Sequence, residues 1–190
     1  MNKNKILIIV FMSLCAGVIV YFLSQNRTQV MDRVNQTKSV SNSDFIFKTV
    51  KGESIELNVA DKEFHIKGMN DKIVFLKVFG WDCKFCQKEI PELVKLKKKL
   101  GDSFEVIAIE AQQHSSEISL QKIKAYGINY HIVSGDSQKA FYAYLQEKYG
   151  WTGIIPLTIV VAKGGAVLAF ELGAKSYSLS ELMQASLLRD

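Results

Sequence analysis

Ile73-Val74-Phe75-Leu76 and Val78-Phe79 form a strand pattern that is apolar on both faces, and four residues later helical spacing begins. Two-sided burial belongs to a central strand of an α/β sheet. Between Cys83 and Leu100, the residues Ile90, Leu93, Val94, Leu96 and Leu100 recur at helical intervals. Gly101 stands where a helix C-terminus favours glycine, and Pro91 inside the run is expected to bend it. The strand–helix junction carries Cys83 and Cys86.

That placement points to chemistry more than to scaffolding. A disulfide closing a loop of about four residues stabilises by only ~2 kcal/mol, against ~4.7 for a 100-residue loop. At a helix start, however, free N–H groups and the helix dipole stabilise a thiolate. Such sites lower a thiol from a pKa of ~8.5 to roughly 3.5–7.5. Cys83 is expected to be the exposed attacking nucleophile. Cys86, one turn further in, would resolve the mixed disulfide. Half a zinc site has the same spacing, but zinc would need two more ligands. His65, His114 and His131 are scattered, so neither a metal nor a cofactor is expected.

The N-terminus is of another kind. Lys3 and Lys5 precede Ile6 to Leu23, 18 residues without a charge. As a helix this run spans roughly 27 Å, at the short end of what crosses a bilayer. The leading lysines predict a cytoplasmic tip and an exported remainder. Residues 1–23 are therefore read as an anchor, with a cleaved signal as the rival and lipidation at Cys15 disfavoured by the bulky Leu14. Polar residues 24–43 read as a linker, and order is expected over 44–190. Removing Lys3 and Lys5 from the formal charge of +5 leaves +3, too small an excess to imply nucleic acid. The lysine run from Lys84 to Lys99 reads as a solvated helix face.

Phe45, Phe47, Ile55, Leu57 and Val59 alternate with polar residues around Lys51-Gly52-Glu53, a hairpin pattern, with a short strand at Phe64 and Ile66. Later strands are expected at 104–109, 130–133, 157–162 and 166–172, with helices at 119–126, 138–149 and 179–188. Alternation closed by a hairpin and a helix gives an α/β fold with a mixed sheet. Ile155-Pro156 lies directly before a strand, where a strand-start proline is also the ordinary reading.

From Phe45 onward the chain resembles the thioredoxin-like TlpA/ResA/CcmG group of exported thiol–disulfide oxidoreductases. The resemblance rests on Cys83-Lys84-Phe85-Cys86-Gln87-Lys88-Glu89-Ile90-Pro91, Pro156-Leu157-Thr158 and Lys163-Gly164-Gly165. Phe104 to Ile109 with Tyr126 to Tyr130 is similar to that group's central insertion. It implies a thioredoxin fold with an N-terminal hairpin and a cis Pro156 that, with Ile155, would present backbone to substrate. It also implies disulfide-bearing clients, among them apocytochrome c thiols, and a membrane electron donor.

The chain departs from the group at several places. Trp81 lies one position earlier than the usual Trp, and Asp82 adjoins Cys83, where a carboxylate is expected to raise the thiol pKa. The insertion's usual acid falls on Gln113. Glu110, nearby, is a candidate general base, although a solvated strand-end carboxylate is its plainer reading. Lys77 stands where thioredoxins carry a buried acid. Either its ammonium approaches the cysteines and favours the thiolate, or it snorkels to water. Three alternatives stay open: an oxidase or isomerase using the same pair, a Cu(I)-binding assembly module with His114 or His131, and a non-catalytic peptide-binding domain.

Overall fold

The computed structural model describes residues 43–60 and 62–189. The expected anchor and nearly all of the linker lie outside them. Among the described residues no helix is long and apolar enough to cross a membrane.

Strands β1 (Ser43–Lys48), β2 (Ser54–Ala60) and β3 (Glu63–Ile66) form an antiparallel sheet of their own, in the order β1-β2-β3. Its alternation is the one legible in the sequence: Phe45, Phe47, Ile55, Leu57, Val59, Phe64 and Ile66 point inward. The second sheet has five strands, β4 (Ile73–Phe79), β5 (Phe104–Glu110), β6 (His131–Ser134), β7 (Leu157–Val161) and β8 (Val167–Leu172). Their order is β6-β5-β4-β7-β8; β4, β5 and β6 are parallel, β7 runs antiparallel to β4, and β8 antiparallel to β7. β4 is central and every one of its residues is buried, as its two-sided apolar pattern requires.

Helix α1 (Lys84–Leu100) runs unbroken through Pro91. The other helices are α2 (Ser116–Tyr126), α3 (Lys139–Tyr149) and α4 (Leu179–Leu187). α2 begins earlier than the apolar spacing suggested because Ser115 caps it, its hydroxyl accepting the Ile118 N–H. α4 starts with a reciprocal capping box between Ser178 and Glu181.

One face of the central sheet packs against the N-terminal sheet and α3, through Phe45, Phe47, Phe64, Phe141 and Tyr144. The opposite face packs against α1, α2 and α4, through Phe75, Phe79, Ile90, Leu93, Ile123 and Leu182. The cysteines lie on this second side, at the end of β4.

Candidate active site

Cys83 and Cys86 form a disulfide whose Cα atoms are 5.2 Å apart. Cys83 is the N-cap of α1, and its Sγ accepts the Cys86 N–H at 3.2 Å. The helix thus directs one of its orphan donors at this sulfur. Cys83 is partly exposed and Cys86 is buried, the asymmetry expected of an attacking and a resolving thiol. Phe85, between them, is 55% exposed.

The turn before Cys83 is held from the side by the loop after β5. Glu110 is buried and its carboxylate accepts the backbone N–H groups of Gln112 and His114 at 3.1 and 2.9 Å. It also approaches the Trp81 N–H at 3.5 Å. This corrects the reading of Glu110 as a solvated carboxylate: the loop folds back over it and turns its own N–H groups inward. Gln112 accepts the Asp82 N–H at 2.8 Å, and His114 Nε2 meets the Asp82 carboxylate at 2.9 Å. Trp81 is buried, packs edge-on against Phe79, and donates from its indole to Ser119 of α2 at 3.0 Å. It anchors the turn from within.

On the other side of β4, Val78 pairs with Leu157, which brings the start of β7 beside the end of β4. The Ile155–Pro156 peptide is cis. Pro156 is buried, and its carbonyl accepts the Gly173 N–H. The Trp151 indole donates to the Ile154 carbonyl at 2.9 Å, leaving the Ile154 side chain exposed next to Ile155. Cys83 and Ile155 both pack at the margin of the cluster under α1.

Lys77 overturns the snorkelling expectation. Its side chain is only 2% exposed, and its ammonium lies 2.9 Å from a Glu89 carboxylate oxygen and donates to Thr158 Oγ1. A strand buried on both faces gives the side chain no route to water, so a counter-ion has to come from the helix above. Burial drives the Lys77 ammonium below the ordinary lysine value; Glu89, and behind it Glu92, pull it partly back. The contacts of the ammonium are Glu89 and Thr158, and its partners join β4, α1 and β7, the three elements that carry the cysteines and Pro156. Sequence reasoning passed over Glu89. A lysine inside a buried strand demands an acid on the packing helix, and Glu89 and Glu92 are the only acids in α1.

The histidines weighed for copper are engaged elsewhere. His114 faces Asp82, while His131 lies on the edge strand β6 against Glu53 at 3.2 Å. A cavity of about 200 Å³ beside His131, lined also by Lys51, Glu105 and Tyr130, includes neither cysteine. Among the described residues no group of three or more His, Cys, Asp or Glu is placed to hold a metal ion.

The sequence profile of the AhpC/TSA family matches residues 43–170. The chain belongs to that family. Within it, the thiol-disulfide oxidoreductase ResA of Bacillus anthracis is 25% identical over 179 residues, covering 93% of this chain and 92% of ResA. ResA of Halalkalibacterium halodurans is 29% identical over 141 residues, covering 72% and 69%. Among solved structures, StoA from Bacillus subtilis superposes with a TM-score of 0.55 at 17% identity, covering 77% of this chain and 98% of StoA. A DsbF homologue from Corynebacterium diphtheriae does so with a TM-score of 0.57 at 22% identity, covering 80% and 89%. The thioredoxin-like fold expected from the sequence is therefore the fold of this AhpC/TSA member, and its activity is thiol–disulfide exchange.

Proposed function

We propose that the protein is a membrane-held, extracytoplasmic reductase of client disulfides that works through Cys83 and Cys86. The observation that carries this reading is the pair's geometry: a partly exposed sulfur at a helix N-cap, with its partner buried one turn in. The Cys83 thiolate attacks one sulfur of the client disulfide, and the other client sulfur leaves as a thiol. Cys86 then attacks Cys83 Sγ, releasing the second client thiol and closing the Cys83–Cys86 disulfide. Two electrons have passed to the client, and a dithiol donor at the membrane restores the pair by the reverse exchange. Ile155 and Pro156 would line the client, and Trp81 and Glu110 would position the turn. The apolar segment at 6–23 supports export, and the group resemblance supports apocytochrome c thiols as one client class.

Cys86→Ser tests the reading. It leaves Cys83 able to attack but unable to be resolved, so a mixed disulfide with clients should accumulate and dissolve on adding dithiothreitol. An adduct that persists when Cys83 is also replaced by Ser would sink the assignment of Cys83 as nucleophile.

A further inference from the structure

Charge is segregated in this chain. From Ser43 to Asp190 there are 19 basic and 18 acidic residues. Six of the lysines and only two of the acids lie in α1, so the rest of this region sums to −3. Within α1 the two acids are used internally: Glu89 by Lys77, and Glu92 by the Leu179 N–H at 3.0 Å. Lys97 is also committed, to Glu105 and to the carbonyls of Gly101 and Phe104. The other five, Lys84, Lys88, Lys95, Lys98 and Lys99, are exposed, and among the described residues none of them is ion-paired. At 3.6 residues per turn they fall within an arc of about 100°, a stripe running ~22 Å from the disulfide to the far end of the helix.

We propose that this face of α1 docks an acidic polypeptide segment whose reactive cysteine meets Cys83. The inference rests on the exchange reading above and adds the client's chemistry to it. A stripe that starts between the two cysteines places its charge where a partner must lie while the mixed disulfide exists. An extended chain covers ~22 Å in about seven residues, so the recognised acids lie within about seven residues of the client cysteine. An anionic lipid surface fits less well. Helices that lie in a membrane pair a basic face with an insertable apolar one, and the apolar face of α1, Ile90, Leu93 and Leu96, is buried against the sheet. Opposite charge along a binding track acts mainly on the rate of encounter and fades with salt.

The test uses the reduced full chain and two oxidised peptides with the same Cys-x-x-Cys disulfide, one flanked by six Glu residues and one by six Gln. Each second-order rate is divided by that protein's rate with oxidised dithiothreitol. At 20 mM salt the acidic peptide is expected to react faster by on the order of ten-fold, and the difference should vanish at 0.5 M. In Lys95→Glu/Lys98→Glu/Lys99→Glu the preference should disappear or invert. Equal rates for the two peptides at low salt would overturn the proposal, as would a preference that survives charge reversal. Equal rates together with binding to phosphatidylglycerol vesicles that the triple variant loses would overturn it in favour of lipid. Loss of exchange with both peptides and dithiothreitol would instead remove the redox reading on which it rests.

Discussion

The two faces of the central sheet are filled with different chemistry. Under the N-terminal sheet, Phe141 meets Phe45 and Phe47 edge-on at 5.2 and 5.1 Å and stacks with Tyr144 at 6.4 Å, in a cluster of apolar and aromatic side chains. Under α1, aromatic packing between Phe75 and Phe104 at 5.0 Å shares its layer with a buried ammonium and carboxylate. Desolvating such a pair costs about as much as its mutual attraction returns, so the pair contributes little net stability. Apolar packing holds both faces together, and the face under α1 in addition spends stability to tie β4, α1 and β7 at fixed distances below the disulfide.

Substitutions on the two sides should separate these roles. The largest expected effect is on chemistry alone: Cys83→Ser should abolish disulfide exchange while the urea midpoint stays close to that of the reduced wild type. Phe141→Ala should do the reverse. Removing a fully buried ring costs about 3–5 kcal/mol, read as a lower midpoint at constant m-value, with the exchange rate per folded molecule unchanged.

Lys77→Met should cost about 3–5 kcal/mol because it strands Glu89, and Lys77→Met/Glu89→Leu should recover that loss or exceed it. A double variant no more stable than the single one would show that the face under α1 depends on the pair for stability, and the contrast would collapse. Ser119→Ala leaves the Trp81 indole N–H unpaired in the interior and should cost about 1–3 kcal/mol, again in denaturant titration.

The smallest effect is a pH slope. In the unfolded chain Lys77 titrates near 10.5, and burial places it lower in the folded state. Between the two values the unfolded chain holds more protons, so stability rises with pH through that window. Lys77→Met lacks this contribution, so the stability difference between wild type and variant should grow from pH 8 to pH 10. Tyr142, pushed up by burial, acts in the opposite sense in both proteins and cancels in the difference.

The architecture was legible because it is written in periodicity and punctuation. The two-sided pattern of 73–79 marked the central strand, alternation marked the N-terminal sheet, and Gly101 marked the end of α1. The cysteine pair was legible from spacing. What escaped the sequence is what depends on long-range partners. Lys77 is 12 residues before Glu89 but 81 before Thr158, and no local pattern shows that both close on one ammonium. Glu110 was misread because its partners are backbone N–H groups of a loop, which leave no mark in residue type. The left-handed Gln113, at φ 62°, is the turn that allows that loop to close, and only glycine or asparagine there would have announced it. The isomer of Pro156 likewise left no local signal.

The reductive direction is the central claim, and the reduction potential of the Cys83–Cys86 pair tests it most directly. With the full chain equilibrated against glutathione or thioredoxin, the account predicts a value near or below thioredoxin's, about −270 mV. A value near that of DsbA, about −120 mV, would make the protein an oxidant and contradict the account, whatever the fate of its fold.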